Sequence, residues 1–181
     1  LKGLWDDLRG KVQPDPAWLV LGVTSQFKVQ ADTKLPAFTF DPLATHVLLP
    51  DVQAGFTERE QCELLVHELG HFLGAVHSAE PDSAMRALLR GAEPAPADAA
   101  APAETDAVLR LDPINTLVMK LVAEPLRGRR LHGVSDLAQA TRRQLLGNYG
   151  QLQRVRHDDD TARFMEALRA PVEPPRYLAA W

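Results

Sequence analysis

The sequence predicts a mixed α/β (α+β) fold: a small twisted mixed sheet with one long helix at its base, then a mostly helical C-terminal portion. Three observations carry this. Residues 18–24 (Trp18-Leu19-Val20-Leu21-Gly22-Val23-Thr24) are a near-continuous apolar run of strand length, the mark of a strand buried in a sheet. Thr57-Glu58-Arg59-Glu60 is a capping box, a threonine N-cap with glutamate three positions on, and it opens a stretch of apolar residues at helical spacing. From residue 113 onward the apolar spacing is helical again.

The elements follow in order. Residues 4–11 are expected to form a short helix with Trp5 and Leu8 on its apolar side. After the strand at 18–24, residues 38–40 and 46–49 are two further strands separated by the turn signal Asp41-Pro42. His46 is expected to face solvent. The long helix spans about 58–73, and Cys62, Leu65, Val66, Leu69 and Leu73 supply its apolar face. Cys62 is then a small buried residue. Residues 92–105 are Ala/Pro-rich and aperiodic, and are expected to form a mobile surface loop. Helices are expected over 113–123, with Met119 in the core, over 135–156, and over 161–169 with Asp160 as N-cap. The tail 171–181 is extended, with Tyr177, Leu178 and Trp181 packing back. His132 and His157 lack ligand-like spacing and are expected at the surface.

Composition bounds the rest. The 181 residues make one domain with a substantial core, 1–77 its N-terminal portion and 78–181 its C-terminal portion. Hydrophobic content of 45% and charged content of 24% are those of an ordinary globular protein. A net charge of −4 gives no reason to expect nucleic acid or an anionic membrane as partner. No apolar run is long enough to span a bilayer, and no signal-peptide pattern opens the chain. It begins at Leu1 rather than methionine, which is compatible with excision from a longer precursor. The single cysteine excludes an intrachain disulfide without fixing the compartment. A monomer is expected.

The chemistry is concentrated in His67-Glu68-Leu69-Gly70-His71-Phe72-Leu73-Gly74-Ala75-Val76-His77. Positions i and i+4 share a helix face, so His67 and His71 can grip one metal ion. Glu68 follows the first ligand, where it can reach a water on that metal. Gly74 stands where the chain must leave the helix, since glycine takes the left-handed conformation that ends one. The turn returns His77 as third ligand. Three imidazoles and an open fourth position describe one catalytic Zn2+, and the expectation is a zinc-dependent peptidase.

That extended motif resembles the metzincin metallopeptidases, and residues 67–78, ending in Ser78, resemble most the matrixin branch. Ser83-Ala84-Met85 is similar to the methionine turn of that family, whose thioether makes an apolar floor under the imidazoles. Residues 135–150 are similar to the last helix of a matrixin domain. The strand at 19–24 is also similar to one in archaemetzincins, but their four-cysteine second zinc site cannot be built with one cysteine. The chain departs from matrixins in Arg86, where proline is usual after the turn methionine, and in lacking a Pro-Arg-Cys-Gly segment. The calcium and second-zinc loops are absent too, so no structural calcium is expected; Asp158, Asp159 and Asp160 read as a solvated helix cap.

The resemblance implies an endopeptidase, exported, acting on a peptide or protein substrate that lies in a cleft between the two portions and adds as a strand to a sheet edge. Val47 and Leu48, in the 45–49 strand, are the candidates for that edge. Glu68 is the general base, taking a proton from the attacking water and handing it to the departing amine. Glu63, four positions before the first ligand, would border the pocket after the cleaved bond and favour basic side chains there; as a first-turn residue it is equally expected to be solvated. Arg86 is read as exposed, or as a transition-state donor. Two alternatives stay open: a narrow-specificity processing enzyme or amidase at the same site, and a non-catalytic module that keeps zinc for stability.

Overall fold

The computed structural model describes residues 2–13, 19–25, 43–51, 58–80, 82–86, 110–128, 131, 133–155 and 159–170. Among them the order is α1 (Lys2–Lys11), β1 (Val20–Thr24), β2 (His46–Pro50), α2 (Glu58–Phe72), α3 (Pro113–Gly128), a 3-10 turn (Val134–Asp136), α4 (Gln139–Val155) and α5 (Asp159–Arg169). The fold is therefore α+β and mostly helical. Trp18, the strand at 38–40, the Thr57 cap, the 92–105 segment, His132, His157 and the tail from 171 lie outside the described residues.

β1 and β2 pair in parallel, with Val20 opposite His46 and Gly22 opposite Leu48. α1 lies against this pair because β1 carries a glycine there: a Cβ on Gly22 would stand 2.6 Å from Leu8 Cδ2. Trp5 and Leu48 form a small core with Leu4, Leu8 and Ala44, and Trp5 Nε1 donates to His46 O at 3.1 Å. Two expectations are corrected here. β1 is not buried on both faces: Leu21 and Val23 are 47% and 62% exposed, so its apolar run covers one packed and one open face. His46 is buried rather than solvent-facing, its Nε2 bonded to Val12 O at 2.7 Å and its Nδ1 to Thr45 Oγ1 at 3.0 Å. A strand histidine is kept inside because both ring nitrogens find partners.

The main core joins Leu43 and Val76 to the C-terminal helices through Val118, Val122, Leu137, Leu145, Tyr149, Phe164 and Leu168. Both halves of the chain thus share one apolar interior. Leu43 is fully buried in it at φ 62°, a left-handed conformation unfavourable for leucine, and its N–H donates to Phe72 O at 2.9 Å. That bond ties the entry to β2 onto the end of α2.

Helix ends differ from the expected ones for packing reasons. α3 runs through Pro125 to Gly128, because Leu126, beyond the proline, packs against the core. The helix expected over 135–156 is broken: Leu137 is extended (φ −71°, ψ 137°) and buried, which drops its side chain into the core before α4 begins. α5 starts at Asp159, so Asp160 lies in its first turn rather than capping it. Arg142 of α4 donates from Nη2 to Leu168 O and Ala170 O, closing the carbonyl end of α5.

Candidate metal centre

α2 presents an unusual inward face. Its buried residues are Glu63, Leu64, His67, Glu68, Gly70, His71 and Phe72, whereas Cys62 and Val66, placed on the apolar face by sequence, are exposed. Leu65, Leu69 and Leu73 are only half-buried. The helix is thus turned so that its polar, ligand-bearing stripe faces the protein.

The two helical histidines are held in one tautomer. His67 Nδ1 bonds Ala84 O and His71 Nδ1 bonds Ala75 O, both at 2.9 Å. A carbonyl oxygen only accepts, so each Nδ1 carries the hydrogen, and each ring turns its Nε2 outward. Those two Nε2 atoms face each other at 3.0 Å. A proton or a metal ion between them is what lets two ring nitrogens stand that close. His77 completes the group, its ring stacked on His67 at 5.3 Å between centroids and edge-on to His71 at 4.9 Å. The three ligand atoms lie within 4.8 Å of one another. Nitrogens on a tetrahedral zinc stand roughly 3.3 Å apart, given Zn–N bonds of about 2.0–2.1 Å. The three histidines could hold a metal ion. His67 and His71 are buried and His77 only partly so, which leaves the group open to solvent on the His77 side. Glu68 is buried beside His67 on the same helix.

Gly74 ends α2 as the sequence predicts. Its φ is +84°, Gly74 N–H donates to His71 O and Ala75 N–H to Gly70 O, both at 2.8 Å; this pair of bonds is the Schellman motif. A Cβ at Gly74 would also press on Tyr149 Oη at 3.0 Å and Val122 at 3.2 Å. Tyr149 donates its hydroxyl to Gly74 O, and burial pushes its phenol pKa up, so it stays a donor.

Met85 is fully buried against α2. A Cβ on Gly70 would stand 2.3 Å from Met85 Sδ, so the small residue between the two helical ligands is what lets the thioether reach the helix. Gly70→Ala sets an overpacking cost of about 1–3 kcal/mol against the roughly 1 kcal/mol that alanine gains over glycine inside a helix, so a net loss of up to about 2 kcal/mol is expected by denaturant unfolding. A variant more stable than wild type by the full helix gain would show that Met85 does not depend on the gap. The turn carrying Met85 is tied back by Ser78 N–H donating to Met85 O at 2.6 Å, and Ser78 Oγ accepts Glu80 N–H at 3.3 Å.

Glu63 and Arg86 correct the sequence reading together. Glu63 is buried, not solvated, and Arg86 is not exposed: Arg86 Nη2 donates to Glu63 Oε2 at 3.0 Å, with side-chain exposures of 16% and 5%. Arg59 lies at 3.5 Å from the other carboxylate oxygen. Arg86 is therefore a strap from the turn carrying Met85 to α2. Val47 and Leu48 are placed in β2 with their side chains buried.

Sequence reasoning missed Asn115. Its Oδ1 accepts Val76 N–H and its Nδ2 donates to Val76 O, both at 2.8 Å. Asp112 Oδ1 accepts Asn115 N–H at 2.9 Å, so Asp112 is the N-cap of α3 with Pro113 at the first helical position. Asp112-Pro113-x-Asn115 is a legible helix start, but nothing in it announces a bond to the residue before His77.

No family model, curated protein or solved structure matches this chain. Among the described residues, no helix is long and apolar enough to cross a membrane.

Proposed function

We propose that this protein is a zinc-dependent endopeptidase of metzincin type, nearest to the matrixin branch. The observation that supports it is the convergent histidine pair, each Nδ1 anchored on a carbonyl, with His77 alongside and Glu68 buried next to His67 in the same helix. His67, His71 and His77 would hold the ion. Bound there, zinc supplies a Lewis acid and a lowered pKa for a coordinated water. The chain's own residues do the rest. Ala84 O and Ala75 O keep the imidazoles aligned and raise their basicity as ligands. Glu68 takes the proton of the attacking water and returns it to the departing amine, and its burial keeps competing solvent from that transfer.

The substrate is a peptide. Where it adds to the sheet beside β2, Val47 and Leu48 meet it through backbone alone, since both side chains are in the interior. Glu63 brings no free charge to a pocket, because Arg86 already occupies its carboxylate. The preference for basic side chains is therefore not carried into this reading.

The test is cleavage of a mixed peptide library by the zinc-loaded protein. Cleavage is expected, lost on chelation and restored by added zinc. Metal uptake without cleavage of any library member would overturn the general endopeptidase and leave the narrow processing enzyme or the zinc-stabilised module.

A further inference from the structure

We propose that Asn115 is the positioning residue for His77: it fixes the backbone from which the third ligand projects, and its loss weakens metal binding through that ligand alone. The inference rests on the metal-centre reading above.

The three ligands are not supported alike. His67 and His71 sit on a regular helix, and each has its Nδ1 anchored on a carbonyl. His77 lies off the helix, because the chain has left α2 at Gly74 and residues 75–77 belong to no helix or strand. The amide of Asn115 takes over. It bonds both the N–H and the C=O of Val76, the two contacts a neighbouring strand would make, one residue before the ligand. Val76 N–H only donates and Val76 O only accepts, so the two contacts fix which end of the amide is oxygen.

The amide is itself held. Asn115 Nδ2 donates its second hydrogen to Asp112 Oδ2 at 2.6 Å, and the other oxygen of Asp112 accepts the Asn115 backbone N–H. Asn115 is 2% exposed and Val76 is 1% exposed, so water does not replace these bonds. Chemistry narrows the choice at 115. Aspartate has no donor for Val76 O, serine's hydroxyl is one bond short of where the amide groups stand, and alanine leaves both buried backbone groups unpaired. A backbone freed in this way shifts to find other partners, and His77 shifts with it. Partners that orient metal ligands are typically worth about 10–100-fold in metal affinity.

The test is a double-mutant comparison of metal affinity. Zinc dissociation constants are measured by chelator competition for wild type, Asn115→Ala, His77→Ala and the double variant, with thermal midpoints alongside. Leu168→Ala, in the core on α5, is the control for general destabilisation. Asn115→Ala is expected to weaken zinc binding about 10–100-fold and to add nothing in the His77→Ala background. Leu168→Ala should lower the midpoint and leave the zinc constant unchanged. An unchanged constant in Asn115→Ala, or an equal weakening in both backgrounds, overturns the proposal. If Asn115→Ala does not fold, Asn115→Ser carries the same comparison and the same two outcomes decide. A wild-type protein that takes up no metal overturns the metal centre and this inference with it; tight binding that Asn115 variants leave untouched overturns this inference alone.

Discussion

Glu68→Ala is expected to keep the metal and lose the chemistry. The three ligands are imidazoles, so removing the carboxylate takes nothing from the coordinating set. What disappears is the group that moves the proton, and a positioned general base is worth about 10²–10⁴-fold in rate. Glu68 is 2% exposed, so alanine also opens a small void. Glu68→Gln separates the two effects, since it keeps the volume and removes the basicity. Both variants should match wild type in zinc content and fall by that factor in peptide cleavage. A glutamine variant that cleaves at the wild-type rate would remove Glu68 from the mechanism.

Arg86→Ala should be the most damaging change outside the ligand set. It leaves the Glu63 carboxylate, 5% exposed, with the more distant and half-exposed Arg59 as its remaining ion-pair partner among the described residues. Breaking a buried pair by deleting one partner costs about 3–5 kcal/mol, because the remaining charge is stranded. That is a large part of a total stability on the order of 5–15 kcal/mol. Denaturant unfolding measures it, and Glu63→Leu combined with Arg86→Met should recover much of the loss by removing both charges. A loss below about 1 kcal/mol, the range of exposed pairs, would show that the strap is solvent-screened. The damage reaches the site by a short route: Arg86 follows Met85, which sits on Gly70, and Ala84 O holds His67.

The grouping of the histidines and the helix end were legible because both depend on local geometry. His67 and His71 need only helical spacing, and Gly74 needs only its left-handed turn, which it takes at φ +84°. The facing of α2 was not legible. Apolar residues at 62, 65, 66, 69 and 73 traced one stripe, but the buried stripe is the one bearing Glu63, His67, Glu68 and His71. Periodicity of apolar residues alone points elsewhere when a helix buries its polar side. His46 failed for a related reason, since its two ring bonds are made to Val12 and Thr45 and cannot be read from alternation. Asn115 and Arg86 act across the chain, reaching residues 39 and 23 positions away. A single sequence carries no record of such pairs. The sheet was legible as strands but not as a buried one, because which face is covered depends on what packs there.

Metal content per chain tests the central claim most directly. It is measured on zinc-loaded wild type and on His67→Ala, His71→Ala and His77→Ala, after loosely held metal has been removed. About one ion per chain is expected in wild type, with its loss or marked depletion in each variant. A wild-type protein without metal even after reconstitution, or an ion that persists undiminished in all three variants, would contradict it.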